Sequence, residues 1–376
     1  MMGALSGITI VEIAGIGPGP FAAMMLADQG ARVIRIDRPG GNPMMVGDPA
    51  RDILNRGRQS LALDLKSEAG QQALLRIIAS ADGLIEGFRP GVMERMGLGP
   101  DQCLAQNPRF VYGRMTGWGQ SGPLAGAAGH DINYIALAGA LAAIGRRNEA
   151  PSIPLNLVGD FGGGALYLLF GMLCALIHAR ATGEGQVVDA AMVDGVASLM
   201  SVVYMMDANQ LWRQKRGSNL LDGGAPFYDV YETKDRLFVS VGPLEPQFFA
   251  LFLKMTGLAD HPACQNQLDL RSWKGMRAAI TEKMAEKTRQ EWCDLLEGSD
   301  LCFAPVLDYK EVPDHPHMKA RQAFTDYNGL LQPSPAPKLS RTPGQIAGPP
   351  PVPGAHSRDI LRDFGFSPEE INDLVK

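Results

Sequence analysis

The chain has 376 residues, of which 45% are hydrophobic and 20% charged, and its formal net charge is -5. This length and composition fit a globular protein with a large core and two domains. The weakly negative balance argues against a general nucleic-acid or membrane-surface binder, and no unbroken apolar run of about 18 residues calls for a membrane span.

The N-terminal stretch lacks a basic region followed by a long apolar core, so no secretory signal is expected. The C-terminal Asp-Leu-Val-Lys is not a peroxisomal address of the Ser-Lys-Leu kind. The five cysteines are odd in number and no pair has the short spacing of a zinc site. Free thiols in a reducing cytoplasm are expected, with no metal.

Residues 8–13 alternate and are β-branched, which predicts a strand. Gly15-Ile16-Gly17-Pro18-Gly19-Pro20 follows as a loop, then a helix over 21–29 with Gly30 as its stop, and a second strand over 32–36. This is a βαβ unit of the doubly wound, Rossmann-like kind. The loop is not Gly-x-Gly-x-x-Gly, and Pro18 and Pro20 have no N–H to offer a phosphate, so a nicotinamide dinucleotide site is disfavoured. Arg38, at the carboxyl end of the second strand, is either a solvated side chain or a group that meets a base or a phosphate.

Residues 42–58 read as a polar, glycine-rich loop and 60–65 as a strand. Ser67 is placed to cap a helix reaching to about Ser80. Strands are expected over 83–88 and 110–115, with proline-started helices over 90–95 and 100–107 between them. An apolar helix is expected over 133–144 and a loop over 151–156. A long helix opens at Gly159-Asp160, runs over 161–181 and is closed by Gly183. A strand over 186–191 and a helix over 193–211 complete the run. Strand and helix alternate throughout, so the sheet is mostly parallel and ligands should gather at its carboxyl edge.

The pattern changes after a charged linker over 214–226. Residues 227–233 and 237–242 read as a hairpin around Lys234-Asp235, with helices over 246–255, 271–287 and 289–298. This is a smaller α+β domain. Residues 330–354 hold many of the 27 prolines and should be extended without regular structure. Two closing helices follow, over 356–364 and from Ser367-Pro368-Glu369-Glu370, a capping box. The expected division is a large domain over 1–213, a linker over 214–226, a small domain over 227–329 and a return segment over 330–376 that joins the large domain.

Two stretches carry groups suited to proton transfer. His130 follows Gly129 in Gly-His-Asp-Ile-Asn-Tyr, a histidine in a loop before a helix that can take and give a proton near neutral pH. Asp160 lies in Gly-Asp-Phe-Gly-Gly-Gly. As an N-cap it would stabilise a helix by about 1 kcal/mol and do nothing more. Yet each of Gly162, Gly163 and Gly164 costs a helix roughly 1 kcal/mol relative to alanine. Such a run brings backbone close to a ligand and aims unpaired N–H groups at it, a place for an enolate oxygen. The helix end lowers the Asp160 pKa while desolvation raises it. Glu245, in Gly-Pro-Leu-Glu-Pro, is either a helix-start carboxylate or a group that orients His130. Of the 18 methionines, Met24-Met25, Met44-Met45, Met200 and Met205-Met206 are clustered, as core filling or as an adaptable apolar surface.

These motifs resemble the family III coenzyme A transferases (CaiB/BaiF-like), and within them the branch that racemises 2-methylacyl-CoA thioesters. The resemblance covers essentially the whole chain. It is carried by residues 5–20, by Arg35-Ile36-Asp37-Arg38-Pro39, by Asp64-Leu65-Lys66, and by residues 107–123, 129–134, 157–164, 183–195 and 354–370. It implies an interlocked homodimer whose active site lies between one large and one small domain. Transferases of the family use the aspartate at the Asp160 position as a nucleophile that forms an acyl anhydride. Racemases add the histidine at the His130 position, so His130 serves one face of C2 and Asp160 the other. Glu245 would then belong to the partner's small domain and support the histidine. By the same resemblance Arg38 stacks on adenine, and Ile16, Ala62, Leu63, Asp64, Leu65, Lys66, Gly87, Phe88, Arg89, Gly129, Asp131 and Tyr134 line the coenzyme. The implied activity is epimerisation through an enolate with no metal or redox cofactor, coenzyme A being part of the substrate. A family III transferase and a non-catalytic acyl-CoA-binding protein are the alternatives.

Overall fold

The computed structural model describes residues 3–41 and 47–375, so the Met44-Met45 cluster and the start of the loop expected over 42–58 lie outside the described residues. The chain divides into two compact units. The larger comprises Met1–Ala138, Leu155–Met200 and Gln322–Lys376, and the smaller Gly139–Pro154 and Ser201–Arg321. The smaller unit thus begins at Ser201, earlier than the division expected from sequence, and takes in a separate piece ahead of it.

The larger unit is built on a six-stranded parallel sheet of β1 (Thr9–Ile13), β2 (Arg32–Asp37), β3 (Gln59–Ala62), β4 (Gly83–Glu86), β5 (Val111–Thr116) and β6 (Gln186–Ala191). The order is β3-β2-β1-β4-β5-β6, with Val11 facing Ile34 on one side and Leu84 on the other. The order reverses between β1 and β4, which is where a doubly wound sheet opens a crevice at its carboxyl edge. Side chains alternate between two cores, as the period of two requires. Val11, Ile34, Leu84 and Tyr112 face the helix Glu68–Ile78 and the closing helix Ser357–Asp363. Ile10, Val33, Ile85 and Val111 face the helices Pro18–Asp28 and Leu166–Thr182.

Local signals behave as their chemistry demands. The Ser67 hydroxyl accepts the Gly70 N–H at 3.1 Å, and Ser367 and Glu370 close a capping box. The first helix starts three residues before its expected position, because Gly17 takes φ 72 and Pro18 supplies the preset dihedral of a first helical turn. The helix expected over 133–144 is broken into Asp131–Leu137 and Ala140–Ala143 at Gly139, whose φ of 86 no helix accommodates. The helix expected over 193–211 is likewise two, Met192–Leu199 and Ser201–Ala208, divided at the unit boundary.

The helical run Leu157–Thr182 is long and apolar enough, by length and composition alone, to cross a membrane. Its Leu168, Met172, Ala175 and Leu176 are buried in the core of the sheet. Gly171 lies against Val188 of β6, where a Cβ would meet the valine at 2.6 Å.

The smaller unit has an antiparallel sheet of β7 (Asp229–Glu232), β8 (Phe238–Val241) and β9 (Phe303–Val306), with helices Pro246–Thr256, Trp273–Met284 and Arg289–Leu296 around Phe227, Phe252 and Trp292. The hairpin is at its expected place, while β9 is an addition. The chain returns to the larger unit through a second hairpin, β10 (Phe324–Tyr327) and β11 (Leu330–Pro333), where an unstructured segment was expected from 330 onward. A buried arginine fastens this return. Arg56 donates to both carboxylate oxygens of Asp28, at 3.1 and 2.6 Å, and to Gln332 on β11 at 2.9 Å. The chain then runs along the open edge of β3. His356 Nδ1 accepts the Ser60 N–H at 3.1 Å, and Ser357 Oγ accepts the Ala62 N–H at 3.0 Å, so the edge is covered.

Candidate active site

The parallel sheet brings most of the residues singled out in the sequence to one edge. Ile16 follows β1, Arg38 follows β2, residues 63–66 follow β3 and residues 87–89 follow β4, and these four strands are neighbours. Ile16 is 69% exposed, and Arg38, Asp64, Lys66, Gly87 and Arg89 are exposed as well. The turn after β3 is held by Asp64, whose Oδ1 accepts the Lys66 N–H at 3.0 Å. Leu63 is an exception, the whole residue being sealed in the core. After β4, the Phe88 N–H donates to Glu86 at 2.7 Å and Arg114 donates to the other carboxylate oxygen at 3.1 Å. Burial nevertheless pushes the Glu86 carboxyl up to about 7.

His130 is the N-cap residue of the helix Asp131–Leu137, its N–H donating to Asn133 Oδ1 at 3.0 Å and its side chain exposed. Asp131, the next residue, is 6% exposed, and its Oδ2 accepts the backbone N–H of Asp160 at 2.7 Å. The two sequence-distant motifs are therefore joined by a direct bond. The imidazole of His130 is near enough to act electrostatically on the Asp160 carboxyl. Gly17, at the carboxyl end of β1, lies beside Asp160, where a Cβ would stand 3.3 Å from Oδ2. Gly159 is required by the same packing, since a Cβ there would meet Asp131 Oδ2 at 2.4 Å.

Asp160 is not the N-cap expected of it. The helix begins earlier with a π-helical segment, Leu157–Ala165, and Asp160 lies inside that segment. Its N–H is taken by Asp131 and is not free for an enolate oxygen. The glycine run also has a different use from the one expected. A Cβ on Gly163 would meet Val196 at 2.7 Å, and one on Gly195 would meet the Gly163 carbonyl oxygen at 1.9 Å. The glycines let the π-helical segment lie directly against the helix Met192–Leu199, which fixes the segment that carries Asp160. π-helical turns inside α-helices are frequent at functional sites.

Asn156 was missed in the sequence. Its amide donates to Asp160 Oδ2 at 3.1 Å, an i,i+4 contact visible in advance only if the helix were known to start at residue 157. Burial raises the Asp160 pKa. The Asn156 hydrogen bond lowers it, the Asp131 charge raises it and His130 lowers it, and the net shift is upward. Tyr134 packs edge-on against Trp118 at 4.7 Å and donates to the Gly129 carbonyl. Burial and the Asp160 charge both raise its pKa, while Arg89 lowers it, so Arg89 also acts on this group.

Glu245 belongs to the smaller unit. It is exposed at the N-cap position of Pro246–Thr256 without a side-chain capping bond, and its charge acts on Cys302.

The description CoA-transferase family III matches residues 5–357. The chain belongs to this family. It is 46% identical over 372 residues to alpha-methylacyl-CoA racemase of Mus musculus, covering 98% of this chain and 96% of that one. The racemase of the same name from Homo sapiens is 47% identical over 373 residues, covering 99% and 96%. Succinyl-CoA:glutarate CoA-transferase of Homo sapiens is 28% identical over 399 residues, covering 99% and 88%. Among solved structures, a CaiB/BaiF family protein from Brucella suis superposes with a TM-score of 0.84 at 23% identity, covering 97% of this chain and 100% of that one. A hypothetical protein from Mycobacterium tuberculosis gives 0.80 at 27% identity, covering 95% and 99%.

Here an exposed imidazole and a half-buried carboxyl share one place at the carboxyl edge of the sheet. An imidazole and a carboxyl of raised pKa can exchange single protons with a carbon acid.

Proposed function

We propose that the chain is a racemase that interconverts (R)- and (S)-2-methylacyl-CoA thioesters by 1,1-proton transfer through an enolate. The observation that carries this reading is the Asp131 bond to the Asp160 N–H, which joins the start of the helix that His130 caps to the segment carrying Asp160, in a chain 46% and 47% identical over nearly its full length to alpha-methylacyl-CoA racemases. The thioester carbonyl acidifies the C2 hydrogen. One of the two groups removes that proton, and the other delivers its own to the opposite face of the enolate carbon. The pair ends with its protonation exchanged, and no covalent intermediate forms. The upward shift at Asp160 helps, because the carboxyl must carry the proton in one direction of reaction.

Arg38 is proposed to stack on the adenine, and the exposed residues after β1, β3 and β4 to line the pantetheine arm and phosphates. Gly129 and Tyr134 form the wall beside His130. Glu245 of the partner subunit would orient the imidazole, which requires the interlocked homodimer. The outward face of Leu157–Thr182 supports such an assembly, with Phe170 69% and Ile177 70% exposed. Large apolar side chains left in water on one helix face call for a cover. The mechanism asks for no metal and no redox cofactor, and a reducing cytoplasm suits the free thiols.

The second reading is a CoA transferase with Asp160 as nucleophile, favoured by the 28% identity to a succinyl-CoA:glutarate CoA-transferase. One pure 2-methylacyl-CoA epimer in D2O, without an acceptor acid, separates the two. The racemase takes deuterium into C2 of both epimers as chirality is lost. A transferase leaves C2 untouched and moves CoA only when an acceptor carboxylic acid is added.

A further inference from the structure

Asp131 is buried, charged and only partly bonded. Its Oδ2 accepts the Asp160 N–H at 2.7 Å, while its Oδ1 is buried with no hydrogen-bond partner among the described residues. It makes no ion pair among those residues. A carboxylate in that state is costly to keep, and an apolar residue would fill the volume more cheaply. The surroundings are nevertheless shaped to admit it, because Gly159 gives up its side chain where Asp131 Oδ2 approaches. Asp131 is also the first residue of the helix that His130 caps, so one residue ties the imidazole's helix to the backbone of the carboxyl group.

We infer that Asp131 is a positioning residue: its buried carboxylate fixes the Asp160 backbone against the His130 helix and presents a negative charge to the Asp160 carboxyl. The consequence is electrostatic as well as geometric. A like charge beside Asp160 disfavours its ionised form and keeps the proton available, whereas Asn156 and His130 pull the other way. Among the described residues, the charges on the strands that touch the segment are engaged elsewhere, Arg114 of β5 with Glu86 and Glu94 and Asp189 of β6 with the Gln120 N–H. Pro18 and Phe21 come from the helix Pro18–Asp28, and Met192 and Val196 from Met192–Leu199, whose Asp194 is exposed. Tyr134, with Arg89 near it, is the remaining titratable group that interacts with Asp160. Asp131 touches Asp160 rather than the reacting carbon. The assignment to catalysis rests on the racemase reading, but the effect on the Asp160 carboxyl does not.

Asp131→Asn keeps an oxygen for the Asp160 N–H and removes the charge, whereas Asp131→Ala removes both. The Asp160 carboxyl is titrated in the full-length protein by isotope-edited infrared difference spectroscopy, with Asp160→Asn identifying its band. The Asp160 pKa is expected to fall in Asp131→Asn. The acid limb of kcat/KM for C2 deuterium exchange then moves to lower pH, with KM nearly unchanged. In Asp131→Ala, kcat is expected to fall on the order of tenfold to a hundredfold from lost alignment. Should Asp131→Ala not fold, as judged by its thermal melt, Asp131→Asn still decides. An unmoved Asp160 titration in Asp131→Asn overturns the assignment. A wild-type protein with no C2 exchange sinks the racemase reading instead, and the titration still tests Asp131.

Discussion

Substituting Gly195 tests whether the contact between Met192–Leu199 and the π-helical segment sets the position of Asp160. A Cβ at residue 195 would lie 1.9 Å from the Gly163 carbonyl oxygen, and contacts below 3.0 Å are essentially never seen. The two backbones must therefore separate by about 1 Å, because the obstacle is main chain and cannot rotate away. Alanine gains about 1 kcal/mol of helix propensity over glycine. Overpacking costs roughly 1–3 kcal/mol, and a backbone clash belongs at the upper end. The net expectation for Gly195→Ala is a loss of about 2 kcal/mol in urea unfolding. Activity should suffer more than stability, since a displacement of about 1 Å at reacting groups costs on the order of a hundredfold. Gly126→Ala, with nothing within 4 Å of its Cβ, serves as the control. Wild-type stability together with wild-type C2 exchange in Gly195→Ala would refute the positioning role of this contact.

Three other expectations follow from particular groups. Arg58, whose side chain is 0% exposed, pairs with Glu12 at 2.9 Å, so Arg58→Met strands a buried carboxylate and should lose about 3–5 kcal/mol, part of which Glu12→Gln in the same chain restores. Absence of recovery in the double variant would show that packing, not charge, carries the loss. Burial pushes the Glu86 carboxyl up to about 7 in the folded chain, from an ordinary value near 4.5. Its contribution is full below the unfolded pKa and is lost as pH rises through 7. Wild type should therefore lose about 2–3 kcal/mol more than Glu86→Gln between pH 5 and pH 8, and equal slopes in urea titrations would contradict it. Arg38→Ala should raise KM for the CoA thioester with little change in kcat, as removal of uniform binding does, and an unchanged KM would remove Arg38 from the coenzyme site.

The parallel sheet was legible because β1, β2 and β6 are rich in β-branched residues and its strands are separated by proline and glycine punctuation, as at Pro100 and Gly183. Their ends then placed Arg38 and Arg89 at one edge without any knowledge of packing. The site was legible as a set of residues but not as an arrangement. Asp160 looked like an N-cap because the π-helical turns ahead of it carry no local signature. The glycines after it looked ligand-facing, because what they face, Val196 and Gly195, lies more than thirty residues away in the chain. Asp131 showed no sign of its bond to Asp160, 29 residues further along the chain. The β10–β11 hairpin was missed despite its signal. Asn328-Gly329, with φ of 55 and 77, is the two-residue turn that joins antiparallel strands, and the prolines that follow it masked the cue.

The central claim is that His130 and Asp160 address opposite faces of one carbon. The most direct measurement follows C2 deuterium exchange of each pure epimer in D2O with His130→Gln and with Asp160→Asn. Each variant should fail to racemise yet still exchange one epimer, and the two variants should exchange opposite ones. If both variants exchange the same epimer, or if His130→Gln racemises like the wild type, two bases acting from opposite sides is the wrong description.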